Sequence, residues 1–279
     1  MMVDLSTEIA GVELKNPFMN ASGVFTEIEN LKTLEGYGFG ALVTKSLTEK
    51  QRTGNVPPTK IEYATGVFLN RMGLPNPGAD AFVKNLNKYE FNVPVIGSAT
   101  GFSIDEYIYV AKTLELAPAI KIIEVNTSCP NTDQDIACFD KIFLEELLTR
   151  LDGELKKPYS VKLSPFTNFR DLKETIKLIE KHKAKALVLT NTIPVRLSHE
   201  GIIYNWGQSG KSILGLSLRN VYEAAQYTDL DIIGCGGISG PNDVRAHIKN
   251  GAKAVQMATI IERGVADKLV KILEKGLSK

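Results

Sequence analysis

The chain is poor in cysteine, histidine and tryptophan: its 279 residues hold three, three and one of them. Cys129, Cys138 and Cys235 are odd in number and form no Cys-x-x-Cys pair. That excludes a disulfide framework or a zinc knuckle, and no metal site is expected. His182, His199 and His247 are scattered in polar company and read as surface residues. An excess of either charge is also missing: Lys+Arg 33 against Asp+Glu 32 leaves a net +1. This excludes a nucleic-acid-binding face and an acidic tail. Apolar stretches are no longer than a strand, roughly 4–8 residues, so none spans a bilayer. Residues 1–8 lack the basic-then-apolar plan of a secretion signal. The expectation is a cytoplasmic α/β protein that engages neither membrane nor nucleic acid.

What is present is alternation. Eight short β-branched runs occur at 17–21, 41–45, 93–98, 120–126, 159–163, 186–190, 231–234 and 254–258. Most are continuously apolar, as parallel strands buried on both faces are. Between them lie stretches of helical period. In 168–183, Phe169, Leu172, Ile176 and Ile179 recur at three- and four-residue steps. Ser103 and Glu106 have capping-box spacing, and Pro241 suits a first helical turn. Further helices are expected near 27–36, 79–89, 139–156, 215–228 and 262–277. The pattern predicts a single-domain (β/α)8 TIM barrel over 1–279. A doubly wound open sheet is the competing arrangement. Residues 3–15 read as an N-terminal β-hairpin plugging the barrel bottom, with Gly11 near its turn. Residues 46–78 form a long insertion after strand 2, rich in Gly, Pro and Asn, of the length usually tied to function or disorder.

In such barrels the active site lies at the C-terminal ends of the strands. The residues there are Asn20-Ala21-Ser22-Gly23, Thr44-Lys45-Ser46, Asn126-Thr127-Ser128-Cys129-Pro130-Asn131, Lys162-Leu163-Ser164, Thr190-Asn191-Thr192, Gly234-Cys235-Gly236-Gly237 and Ala258-Thr259. Gly236-Gly237 and Ala258-Thr259, each before a helix, can offer backbone N–H groups to a phosphate. The alternative is a plain tight turn. Lys45 and Lys162 can neutralise an electron-rich ring or an anionic substrate, or snorkel to solvent. Cys129, in a polar loop, is the candidate for proton chemistry; inert packing is its alternative. Cys138 reads as packing a helix start and Cys235 as lining the phosphate turn.

Several segments, in order over nearly the whole chain, resemble class 1 dihydroorotate dehydrogenases. They are Asn16–Gly23, Thr44-Lys45-Ser46 with Gly54-Asn55, Asn70-Arg71-Met72-Gly73-Leu74-Pro75-Asn76, Asn126–Asn131, Val161–Pro165, Asn191-Thr192, Gly207–Gly210 and Gly234–Ile238. The resemblance implies FMN-dependent oxidation of (S)-dihydroorotate to orotate in pyrimidine biosynthesis. It implies Cys129 and Lys45 as catalytic residues, with flavin N5 as hydride acceptor. It places FMN against Ala21, Ser22, Gly23, Lys45, Ser46, Asn126, Lys162, Thr192, Gly210, Gly236, Gly237, Ala258 and Thr259. Lys45, Asn70, Met72, Gly73, Leu74, Asn126, Asn131, Asn191 and Thr192 would hold the substrate. The loop from Cys129 to about Cys138 would act as a lid. Cysteine as base marks class 1, and a membrane-binding extension before Pro17, the mark of class 2, is not expected.

Within class 1 the motifs are mixed. Met72–Asn76 and Asn16–Gly23 resemble the homodimeric, fumarate-using A type. Lys162–Pro165 and Asn191-Thr192 resemble the B type, which passes electrons to NAD through a partner subunit carrying FAD and an iron–sulfur cluster. This chain has no cysteine set for such a cluster. Three departures stand out. Arg71 replaces a small residue beside the substrate loop and could alter substrate choice. The segment 193–212 is irregular against the family's glycine-rich pattern, and the short tail of most class 1 relatives is missing after Lys279. Other readings are a flavin barrel acting on another dihydropyrimidine, a non-flavin phosphate-binding lyase or isomerase, and a non-catalytic binding subunit.

Overall fold

The computed structural model describes residues 4–25, 27–128 and 137–277, and the counts below are of these. The strands are β1 (Thr7–Ile9), β2 (Val12–Leu14), β3 (Phe18–Asn20), β4 (Leu42–Val43), β5 (Lys60–Ala64), β6 (Val67–Asn70), β7 (Val95–Ala99), β8 (Ile120–Asn126), β9 (Tyr159–Leu163), β10 (Ala186–Leu189), β11 (Ile193–His199), β12 (Ile202–Ser209), β13 (Asp231–Cys235) and β14 (Ala254–Met257). The helices are α1 (Ile28–Gly36), α2 (Ala79–Leu86), α3 (Ile104–Glu115), α4 (Lys141–Glu154), α5 (Phe169–Ile179), α6 (Leu214–Ala225), α7 (Pro241–Lys249) and α8 (Ala266–Leu277).

The eight apolar runs become one eight-stranded parallel sheet, ordered β3-β14-β13-β10-β9-β8-β7-β4. A parallel bridge between Met19 and Ala41 joins the two ends, so the sheet curls into a barrel. This excludes the open doubly wound alternative. Helices follow the strands because their apolar stripes match the sheet's outer face. In α5, Leu172, Ile176 and Ile179 are fully buried, while Lys177 faces solvent and Lys173 lies half-buried over the Tyr227 ring. Asn168 starts that helix by accepting from Arg170 N at 3.1 Å. Ser103 likewise accepts from Glu106 N at 3.2 Å, while the Glu106 carboxylate reaches back to Phe102 N at 2.6 Å.

β1 and β2 form the expected hairpin, turning at Ala10-Gly11 with positive φ at both residues. Ala10 N donates to Asp231 Oδ2 at 2.7 Å, at the first residue of β13, so the hairpin closes the barrel's N-terminal end. Ile9 and Leu14 point into the core there, each contributing about 1.5–3 kcal/mol by full burial.

One sequence expectation fails here: the insertion after β4 is not all loop. Residues 193–212, whose sequence departs from the family's glycine-rich pattern, are regular in structure. Each supplies a hairpin, β5–β6 and β11–β12, and the two unite into a four-stranded antiparallel sheet ordered β11-β12-β6-β5. This sheet roofs one side of the barrel mouth. A second correction concerns His247, which is 0% exposed rather than at the surface. Its Nε2 lies 3.0 Å from Ser217 Oγ and its Nδ1 2.9 Å from the Asp243 carbonyl. Among the described residues no helix is long and apolar enough to cross a membrane.

Candidate active site

A cleft opens at the C-terminal ends of the barrel strands, beneath the four-stranded roof. Its walls include Ala21, Ser22 and Gly23 after β3, Lys45 and Ser46 after β4, and Asn126 at the end of β8. They also include Lys162 of β9, Asn191 and Thr192 after β10, Gly210 after β12, Gly236 and Gly237 after β13, and Ala258 and Thr259 after β14. From the roof and insertion come Asn70, Met72 and Leu74. One fold feature gathers them: in a parallel barrel every strand ends on the same rim. Cys129 and Asn131, and most of the expected lid, lie outside the described residues.

Gly73 does not line the cleft. It has φ +71, and a Cβ there would come within 2.7 Å of Asn55 N and Cγ, so it shapes the turn that presents Met72 and Leu74. Asn55 holds this turn: its Nδ2 donates to Arg71 O at 2.9 Å and its N to Met72 O at 2.9 Å. Asn76 is a second clamp. Its Oδ1 accepts from Thr48 N at 3.3 Å and Gly78 N at 2.9 Å, and its Nδ2 donates to Leu74 O at 2.8 Å. Arg71 points away from the cleft. Its guanidinium donates to Val56 O at 2.9 Å and stacks 4.6 Å from the Tyr204 ring centre, tying the insertion to β12.

Both lysines are buried, so neither snorkels: Lys45 is 5% and Lys162 is 2% exposed. An unpaired buried ammonium costs several kcal/mol, so partners are required. Lys162 Nζ donates to Gln256 Oε1 at 3.0 Å and Ser22 Oγ at 3.2 Å, and Glu124 Oε1 stands 3.9 Å away. The amides form a second cluster. Asn126 Nδ2 donates to Ser46 Oγ at 2.9 Å, and Asn126 Oδ1 accepts from Ser128 Oγ at 2.8 Å. Asn191 Nδ2 donates to Ser128 Oγ at 2.8 Å. Asn70 Nδ2 donates to Gly207 O at 3.1 Å across the roof.

The far end of the cleft is a glycine turn. Gly236 and Gly237 have φ +123 and +76. A Cβ on Gly237 would fall 2.6 Å from Leu214 N, and one on Gly210 2.5 Å from the Gly66 carbonyl. Ser217 Oγ, itself beside His247, bonds the Cys235 carbonyl at 2.7 Å and props this turn from behind. Cys235 lines the cleft, but burial raises its thiol pKa. Burial pushes the Cys138 thiol up to about 12. Cys138 packs at a short 3₁₀ turn, accepting from Ser164 N at 3.4 Å. Burial disfavours the thiolate at both.

Three features fit a flavin mononucleotide. Thr192 Oγ1 is buried in the cleft wall without a hydrogen-bond partner. Gly23 leaves open the space beside Lys45 Nζ, which a Cβ would approach to 3.3 Å. The glycine turn exposes backbone where a phosphate would sit.

Sequence reasoning missed Gln256, Glu124 and the outer-rim pair of Lys60 and Glu262, which are ion-paired across the cleft end. The signal for the first two was there: a lone carboxylate in Ile122-Ile123-Glu124-Val125 and a lone amide in Val255-Gln256-Met257. Polar groups inside apolar runs are informative.

The family described as dihydroorotate dehydrogenase matches residues 4–278. The "Dihydroorotate dehydrogenase B (NAD(+)), catalytic subunit" of Fusobacterium nucleatum is 35% identical over 288 residues, covering 99% of this chain and 94% of that protein. The "Dihydroorotate dehydrogenase A (fumarate)" of Lactiplantibacillus plantarum is also 35% identical, over 91% of this chain and 86% of that protein. Among solved structures, DHODH from Eimeria tenella in complex with ferulenol superposes with TM-score 0.87 at 21% identity, over 98% of this chain and 83% of that one, a likeness of fold. With the matched family spanning nearly every residue, the chain belongs to the dihydroorotate dehydrogenases.

Proposed function

We propose that this chain is a class 1 enzyme that oxidises dihydroorotate to orotate with FMN in the rim cleft. The observation that carries the reading is the joining, in one cleft, of two buried lysines, a cluster of side-chain amides and a glycine turn. A pyrimidine ring offers both donors and acceptors, which amides match in either sense. Asn70, Asn126 and Asn191 hold that ring, with Asn131, Thr192 and the backbone at Met72–Leu74. Lys45 stands between substrate and flavin sites.

FMN supplies a two-electron acceptor for the hydride from C6 of the substrate. Gly210, Gly236, Gly237, Ala258 and Thr259 would hold its phosphate, and Ala21, Ser22, Gly23, Ser46 and Lys162 its ring. The protein's own chemistry is at C5. Cys129, as thiolate, takes the C5 proton, leaving the new C5–C6 double bond when the hydride departs. Lys45 and Lys162 stabilise negative charge that develops on the ring system. A cysteine with an ordinary pKa of about 8.5 makes turnover rise with pH until the thiolate has formed.

The test begins with colour. Purified protein is yellow, and dihydroorotate bleaches it without oxygen. Cys129→Ala keeps flavin and binds orotate but loses turnover; near-normal turnover removes Cys129 from the role. Protein that takes up no FMN overturns the whole reading.

For the acceptor, relatives named for fumarate and for NAD are equally similar. We take fumarate, or NAD through an FAD and iron–sulfur partner subunit, as the two acceptor routes, and a homodimer as the assembly. Assaying fumarate, NAD and quinone on this chain alone separates them, and light scattering reads the assembly.

A further inference from the structure

Glu124 is fully buried in the middle of β8, inside the barrel, beneath the cleft. A carboxylate there can only accept hydrogen bonds, so it dictates the direction of every donor around it. Its Oε2 accepts from Gln256 Nε2 at 2.6 Å. That fixes the other end of Gln256, whose Oε1 accepts from Lys162 Nζ at 3.0 Å. Glu124 Oε1 accepts from Ser98 Oγ at 3.1 Å. Ser98 must then accept from Ser46 Oγ, 3.0 Å away, and Ser46 accepts from Asn126 Nδ2 at 2.9 Å.

One buried charge thus anchors two chains that both surface in the cleft. One ends on Lys162 and Ser22, the other on Asn126. A purely structural role explains this poorly, because a buried ion pair stabilises no better than apolar packing of the same volume. Floor electrostatics give a better account. The Glu124 carboxylate stands 3.9 Å from the Lys162 ammonium at the cleft floor and offsets its charge there.

We infer that Glu124 is a positioning residue: bridged by Gln256, it holds Lys162 toward the flavin ring and tempers the positive charge there, and so sets the flavin's reduction potential. The inference rests on the flavin reading above.

Two substitutions test it with opposite signs. Glu124→Gln keeps the shape and removes the counter-charge. The reduced flavin then gains stability, and the equilibrium with a reference dye shifts about tenfold toward reduced flavin, about 30 mV for two electrons. Gln256→Met breaks the bridge and keeps both charges. Lys162 then swings directly onto Glu124, away from Ser22, and the equilibrium shifts the other way. The readout is anaerobic absorbance of the flavin-loaded protein against the dye, with no turnover required. Opposite shifts support the inference. Wild-type potential in either flavin-bearing variant, or shifts of the same sign in both, overturn it while leaving the flavin reading intact. If either variant fails to fold, the sign found in the other decides. Wild-type protein that takes up no flavin sinks the flavin reading and this inference with it.

Discussion

Replacing Gly237 by alanine probes the phosphate turn most sharply. The added methyl group meets two obstacles. Gly237 has φ +76, where an L side chain costs about 1–2 kcal/mol. The Cβ also falls 2.5 Å from Leu214 Cα and 2.6 Å from Leu214 N, backbone that cannot step aside without moving the start of α6. Overpacking of that kind costs about 1–3 kcal/mol. Alanine also restricts the unfolded chain, returning about 0.4–1 kcal/mol. Gly201→Ala is the matched control. Gly201 has φ +80, yet nothing lies within 4 Å of its Cβ position. The backbone and entropy contributions cancel between the two variants, and the clash remains. Urea unfolding should therefore show Gly237→Ala less stable than Gly201→Ala by about 1–3 kcal/mol. FMN affinity, read by quenching of flavin fluorescence, should fall at least about tenfold in Gly237→Ala, or 1.4 kcal/mol, and stay unchanged in Gly201→Ala. Equal stabilities with wild-type FMN affinity in both would refute the steric argument and the phosphate assignment together.

Three further outcomes are expected. Arg71→Ala should destabilise by about 1–3 kcal/mol through the lost stacking and carbonyl bonds, with KM for dihydroorotate changed less than about threefold, because its guanidinium turns away from the cleft; a tenfold KM change would restore a substrate role. His247 is held neutral by burial, with its pKa below the ordinary value of about 6.5. The unfolded chain binds that proton first, so stability is full above about pH 6.5 and falls as pH drops toward the folded pKa. Denaturant midpoints between pH 7 and 5 should show this, and His247→Gln should flatten it. Finally, Cys138 and Cys235 are buried thiols. Iodoacetamide at pH 8 should modify no more than one cysteine in the native protein and all three in urea; labelling at Cys138 in the native state would contradict its burial.

The barrel was readable because eight continuously apolar runs alternate with helical period, and burial on both faces leaves little other use for such runs. The rim was readable for the same reason: a lysine or asparagine closing an apolar run has no packing role. The roof was harder. Ile193, Val195 and Leu197 alternate with Pro194, Arg196 and Ser198, a strand pattern, and Glu200-Gly201 marks a two-residue turn with positive φ at both positions. Yet nothing local shows that this hairpin's partner is β6, since Gly207 pairs with Asn70 far along the chain. His247 was misread because its polar neighbours lie on the outer face of α7 while its own ring turns inward to Ser217. Glu124 and Gln256 were passed over as exceptions within strands, when the exception was the signal.

The roof also bears on the order in which the molecule assembles. Barrel neighbours such as β8 and β9 pair across one intervening helix, Asn126 beside Lys162. The roof bond from Asn70 to Gly207 spans 137 positions. Closing a loop about fourfold longer costs roughly 1 kcal/mol more in chain entropy, and contacts of such separation form late. The barrel's own closing seam, Phe18 beside Val255, is longer still, so the β3–β14 seam and the roof are both late contacts on a barrel whose other neighbours are local. The roof is a sheet separate from the barrel's, so it can loosen without breaking a barrel ladder, and the cleft's cover and its floor are independent in their hydrogen bonding.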